Sequence, residues 1–283
     1  MNKVISIFIL SIIFGLSSCS TAPKITGDIN ILRKAAEIGL ESANKEVGLG
    51  NFANAENFLI EYKRMAILTD DPSLIIRICL SYGNVLLSLG KVNEAYAEWD
   101  HAIAEAQKSG NKELLSVAKI FKARGNLFLE KTTTQAVLDE VNREIVNIKN
   151  KFFIAYSWQT KGLAQRTSGS YGEAEESIKK SLEIHEKEKA LENASYDWYT
   201  IASIRSLAGN TAGALQALET AITLDRRIEN SFGLAASWRA MGDVYRKIGR
   251  NEDALEAYKR SRAIFEYMDK KDEVTEIDNR MKN

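Results

Sequence analysis

The side chains from which catalysis or metal binding could be assembled are few in this chain, and their spacing argues against both. It carries two histidines, His101 and His185. Neither has a second histidine one helical turn away, so "HEKEK" is not a zinc-protease helix and no metal quartet is spelled out. Both are expected as surface residues of helices. Acidic pairs such as Glu175/Glu176 and Asp139/Glu140 could in principle perform acid–base work. They stand next to each other among lysines, though, where solvation keeps carboxylates ordinary. Cys79 lies in the apolar run "LIIRICL" and reads as a small buried hydrophobe. No phosphate loop, dinucleotide fingerprint or nucleophile elbow occurs. The expectation is a protein that is not an enzyme and holds no cofactor and no metal.

Cys19 is the exception. Lys3 supplies a positive start, "VISIFILSIIFGL" (4–16) an apolar stretch, and "LSSC" (16–19) follows. The stretch is too short for an ordinary membrane span and has the layout of a targeting segment. "LSSC" resembles the bacterial lipobox, which implies cleavage after residue 18 and lipidation of the Cys19 thiol. Each acyl CH₂ buried in a bilayer contributes about 0.8 kcal/mol, so several chains anchor firmly. The expected organisation is a signal peptide at 1–18, a lipidated tether at 19–28 and a folded domain at 29–283. With Cys19 lipidated, Cys79 has no intrachain disulfide partner.

The elements that would position any site come from composition and period. Hydrophobic residues make up 45% of the 283 and charged residues 27%, which suits a folded chain. Lys+Arg and Asp+Glu both number 38, so nothing overall points to nucleic acid. The only prolines are Pro23 and Pro72, and this scarcity favours helices. A Gly-x₄-Ala spacing recurs at Gly50/Ala55, Gly90/Ala95, Gly169/Ala174, Gly209/Ala214 and Gly249/Ala254. Trp158, Trp198 and Trp238 each stand eleven residues before one of these glycines. Small residues follow them at Gly162, Ala202 and Gly242, with Gly83 and Gly125 in equivalent places upstream. A degenerate unit around 118–141 brings the count to about six.

Physically, the Gly ends a first helix in a left-handed turn, and the small residues let two helices approach. The tryptophans, with Trp99, Tyr245 and Tyr258, are expected to fill the core between them. First helices are predicted near 30–48, 73–89, 113–130, 151–168, 191–208 and 231–248. Second helices are predicted near 52–68, 92–108, 134–149, 171–188, 211–228 and 251–268, with a capping helix at 272–283. A hairpin cannot bury its apolar face alone, so neighbours must stack.

These residues resemble the tetratricopeptide repeat family. "WRAMGDVYRKIGRNEDALEAYKRS" is a good match; "WYTIASIRSLAGNTAGALQALETA" and "YGNVLLSLGKVNEAYAEWDHA" are fair ones. The near-forty-residue period and missing repeat-end proline resemble the long-repeat subclass that includes kinesin light chains. HEAT repeats have a similar period, but their usual helix prolines are absent here and the Gly-x₄-Ala turn fits them poorly. The resemblance implies an all-α, right-handed solenoid of about six hairpins, with first helices lining a concave, partner-binding face. Aligned on the small residue, the next positions read Asn44, Asn84, Asn126, Leu163, Ser203 and Asp243, so an asparagine ladder is expected in the N-terminal half. Lys122, Gln159, Tyr199 and Arg239 lie one turn away, and Arg166 and Arg246 extend a basic C-terminal groove suited to carboxylates. The expected function is a lipid-anchored scaffold for a protein or peptide partner in the bacterial cell envelope. Ser20 after the lipidated Cys favours the outer membrane. The competing expectations are a transporter accessory for a small acidic ligand and a surface adhesin.

Overall fold

The computed structural model describes residues 30–282. The expected signal peptide, Cys19 lipidation site and tether lie outside the described residues. Among these, thirteen α-helices and one 3₁₀ turn occur and no strand. In order they are α1 Ile31–Gly48, α2 Phe52–Leu68, α3 Pro72–Ser88, α4 Val92–Lys108, α5 Lys112–Phe128 and α6 Thr134–Glu144. The 3₁₀ turn Ile145–Asn147 follows. Then come α7 Lys151–Thr167, α8 Tyr171–Lys187, α9 Leu191–Leu207, α10 Thr211–Arg227, α11 Ser231–Lys247, α12 Asn251–Tyr267 and α13 Lys271–Lys282. The expected helices and cap are all present. The third second helix is the exception, stopping at Glu144 where 149 was expected.

Helix ends follow from local chemistry. Asp71 caps α3 by accepting from the backbone N–H of Ser73 and Leu74, with Pro72 at the first helical position. Asn111, Thr133, Asn210 and Asn230 cap α5, α6, α10 and α11 in the same way. At the other end of α3, Gly90 (φ +74°) donates to the Leu87 carbonyl and Lys91 to that of Leu86. That double bond requires a left-handed residue at Gly90. The degenerate repeat makes the same turn with Glu130 (φ 52°), a residue type that pays for this conformation. Left-handed residues also end second helices, at Asp70, Gly110, Lys189, Glu229 and Asp269, so the joints fall twenty residues apart through most of the chain.

The described residues form two compact units, one of residues 30–47 and 51–153, the other of 48–50 and 154–282. In the first, Trp99 of α4 is fully buried where Gly83 of α3 and Gly125 of α5 leave room; a Cβ on either would run into the indole. Cys79 is buried, as its apolar run implies. In the second, Ile178 and Tyr258 take the same place relative to their turn glycines as Trp99. Cβ atoms added at Gly162 and Gly242 would come within 2.6 and 2.5 Å of them. α13 closes the last hairpin by burying Ile277 against Tyr258 and Phe265.

Two expectations are corrected here. Trp158, Trp198 and Trp238 are half-buried and not central core, with Trp198 and Trp238 packing against the second unit's core from its margin. His185 is buried and not on the surface, because Asp197 satisfies it from the neighbouring helix. No described helix is long and apolar enough to cross a membrane.

Candidate functional site

The expected contact residues divide into those presented at the surface and those spent internally. Asn44 is buried and Asn84 half-buried. Both stand six residues before a left-handed turn residue, Gly50 or Gly90, whereas Asn126 stands four before Glu130. The third turn is longer, since α6 begins only at Thr134, and Asn126 is therefore out of register. The residue in register with Asn84 is Arg124, which is buried. The three-asparagine ladder is thus corrected to a pair, Asn44 and Asn84.

Gln159 is also corrected. It is buried and donates to Asp197 Oδ1 at 2.7 Å. The basic C-terminal set is covered by α13. Arg239 pairs with Glu276 at 2.7 Å, Asp243 accepts from Arg280 at 2.6 Å and from the Tyr258 hydroxyl at 2.7 Å, and Arg246 donates to the Arg280 carbonyl. Arg166 donates to Ser203 Oγ at 3.3 Å. Tyr199 is half-buried, and burial pushes its phenol above the usual range.

Two grooves remain. In the first unit, Lys122 and Asn126 line a groove of about 280 Å³ with Lys119 and Glu140, over Ile103 and Val137. Its polar groups are held in place. Lys122 pairs with Asp100 at 2.5 Å, Asn126 accepts from the Tyr96 hydroxyl, and Lys119 pairs with Glu144 at 2.8 Å. Burial opposes the charge on Glu144, but hydrogen bonds from Lys119 and Ser116 outweigh it and hold this carboxyl below its ordinary value.

In the second unit, a groove of about 340 Å³ runs between α10 and α12 over Trp238 and Met241 of α11. Arg226 and Arg260 lie over the indole, at 5.6 and 4.8 Å from its centroid. Arg260 also pairs with Glu256, while Arg226 has no carboxylate partner among the described residues. This groove was missed from sequence because regular spacing marked Trp238 as core. The signal that could have found it is the pair of arginines one helix away on either side.

Ser181, His185 and Asp197 have the residue types of a hydrolase triad but not its geometry. Asp197 Oδ2 and Ser181 Oγ both approach Nδ1 of His185, at 2.7 and 3.4 Å. A triad needs them on opposite ring nitrogens. All three are buried, so the cluster is a polar clasp between α8 and α9. Burial pushes the Asp197 carboxyl up against the hydrogen bonds from His185, Gln159 and Ser181.

Residues 194–266 and 155–188 match family models described as tetratricopeptide repeat. The crystal structure of BtubC (BKLC) from P. vanneervenii is similar over 86% of this chain and 93% of its own, at 14% identity and a TM-score of 0.57. A Rap protein complexed with competence and sporulation factor is similar over 88% of this chain and 76% of its own, at 16% identity and a TM-score of 0.61. RapI without ligand gives 89%, 72%, 12% and 0.57. These likenesses give the fold as a tetratricopeptide-like helical solenoid. No curated protein matches the sequence.

Proposed function

We propose that the chain is a lipid-anchored scaffold that binds a protein or peptide partner at the bacterial cell envelope and performs no chemistry. Tetratricopeptide-like hairpins are suited to protein or peptide binding, and a Rap protein of this fold is solved with competence and sporulation factor. The observation that carries the reading is the Trp238 groove. Tryptophan and arginine are the side chains that dominate interface energetics. Here two guanidiniums lie over one indole, in a groove also lined by the apolar Ile222, Met241 and Ala257. Arg226 is left to pair with a carboxylate of the partner. A groove of about 340 Å³ takes one or two side chains of a larger partner rather than enclosing a whole ligand.

Anchoring rests on "LSSC" and the apolar run before it. The nine residues 20–28 span at most about 30 Å when fully extended, so the repeats stay close to their membrane. Ser20 favours the outer membrane.

Two variants test the reading. Cys19→Ser should move the protein from the membrane pellet to the soluble envelope fraction. Arg226→Glu should abolish crosslinking of a specific envelope protein to a photoreactive group at Thr223, with the circular dichroism unchanged. Pelleting unaffected by Cys19→Ser overturns the anchor, and crosslinking unaffected by Arg226→Glu overturns the groove. Thermal stabilisation by small carboxylic acids, with no protein crosslinked, would replace the scaffold with a transporter accessory.

A further inference from the structure

We propose that Cys79, Glu98 and His101 form a zinc-binding site that ties α3 to α4 in the second repeat. One ligand atom from each lies within 4.8 Å of the other two. Cys79 Sγ stands 3.6 Å from His101 Nδ1. A tetrahedral zinc with ordinary Zn–S and Zn–N bonds places those two atoms roughly 3.5 Å apart. Glu98 and His101 are three residues apart on α4 and project from one face. The thiol is buried while the carboxylate and imidazole are half-buried, so an ion reaches the site from the α4 side.

Comparison with the other repeats makes the cluster specific. Cys79 stands eleven residues before its turn glycine, the place held by Trp158, Trp198 and Trp238 in later repeats. His101 stands eleven after it, the place of Lys180, Thr220 and Arg260. In the fourth and sixth repeats these places make a cation over an indole, Lys180 at 4.2 Å from Trp158 and Arg260 at 4.8 Å from Trp238. The second repeat exchanges that pair for a thiol and an imidazole. It also adds Glu98 where the fourth to sixth repeats have Ser177, Ala217 and Ala257. Three repeat positions thus change together from packing groups to metal donors.

The charges balance. A thiolate and a carboxylate neutralise Zn²⁺, the imidazole binds neutral, and water fills the fourth position. Binding releases the Cys79 thiol proton to solvent as the sulfur lone pair forms the Zn–S bond. The hydrated ion gives up waters to the three donors, and no electron changes hands. Lys63 competes with the metal for Glu98. Its ammonium lies 2.6 and 2.7 Å from the two Glu98 oxygens and must share them with the metal.

The experiment uses the full chain carrying Cys19→Ser, which leaves Cys79 as its only thiol. Zn²⁺ is titrated in competition with a chromophoric chelator, and Co²⁺ is followed by absorption. The proposal expects uptake of one ion, a sulfur-to-cobalt charge-transfer band and tetrahedral d–d bands. His101→Ala, at a half-buried position, should weaken Zn²⁺ binding by on the order of 100-fold and Glu98→Gln by about tenfold, with the circular dichroism of both unchanged. Cys79→Ala should abolish the charge-transfer band, and Lys63→Met should tighten binding. No uptake, uptake indifferent to His101→Ala, or cobalt bound without the sulfur band would each overturn it.

Discussion

Arg239 of α11 and Glu276 of α13 pair at 2.7 Å with the guanidinium side chain only 8% exposed. The last helix therefore occupies the arginine face that an incoming carboxylate would have used, and it does so with a carboxylate of its own. Glu276→Ala leaves Arg239 in place without its counter-ion. The expected cost is about 1–2 kcal/mol by urea denaturation, below that for a fully buried pair because Glu276 is partly exposed. No change in the midpoint would mean that the Arg239–Glu276 pair contributes nothing to holding α13, leaving that to Ile277 and to the Asp243–Arg280 and Arg262–Asp278 pairs.

Trp99 is wedged against two glycines on different helices. Gly83→Ala and Gly125→Ala should each cost about 1–3 kcal/mol by overpacking, and Trp99→Ala about 3–5 kcal/mol. Gly172→Ala is the control. Its Cβ would meet nothing within 4 Å, and Ala should gain up to about 1 kcal/mol from helix propensity. Thermal melts of the three glycine variants should therefore fall on both sides of the parent.

Glu130 adopts the left-handed conformation that Gly90 and Gly249 adopt without strain. Glu130→Gly should stabilise the chain by about 0.5–1 kcal/mol, the relief of strain exceeding the added entropy of the unfolded glycine. Gly90→Ala should move the midpoint the other way.

Burial and the nearby Asp225 carboxylate push Glu192 up to about 7, and burial pushes Asp225 up to about 6. Both values exceed those of an unfolded carboxylate, so between about pH 4 and pH 7 the folded chain binds more protons than the unfolded one. Stability from these groups is full below the unfolded values and is lost as pH rises through the folded ones. Glu192→Gln should raise the melting temperature at pH 8 relative to the parent and leave it little changed at pH 4. An equal shift at both pH values would refute this account.

The hairpins were legible because Gly, Ala and a bulky partner recur at fixed offsets, and stacking needs those sizes wherever it happens. The helix α13 was legible as a seventh helix in phase with the first helices. What the period could not show is how deep each tryptophan lies, since regular spacing is shared by core and by groove. Asn126 was misaligned because the third turn lengthens without any glycine to mark it. The His185–Asp197 clasp joins residues of two helices, and its polar groups looked like solvent-facing ones in the sequence. The Cys79 cluster was hidden for the same reason: a search for a second histidine one turn from His101 passes over Glu98 and a cysteine on another helix.

The left-handed joints at 50, 70, 90, 110 and 130, and again from 169 to 269, give the chain one hinge pattern used over and over. Cutting and rejoining the coding sequence at any two joints forty residues apart removes or adds a whole hairpin without requiring a new loop. The same operation at joints twenty apart would turn every later first helix into a second helix and carry its apolar stripe outward. Length is therefore free to drift in hairpin steps while phase is locked. The one place where the count slips, between Glu130 and Gly169, is where α6 is cut short and a 3₁₀ turn resets it.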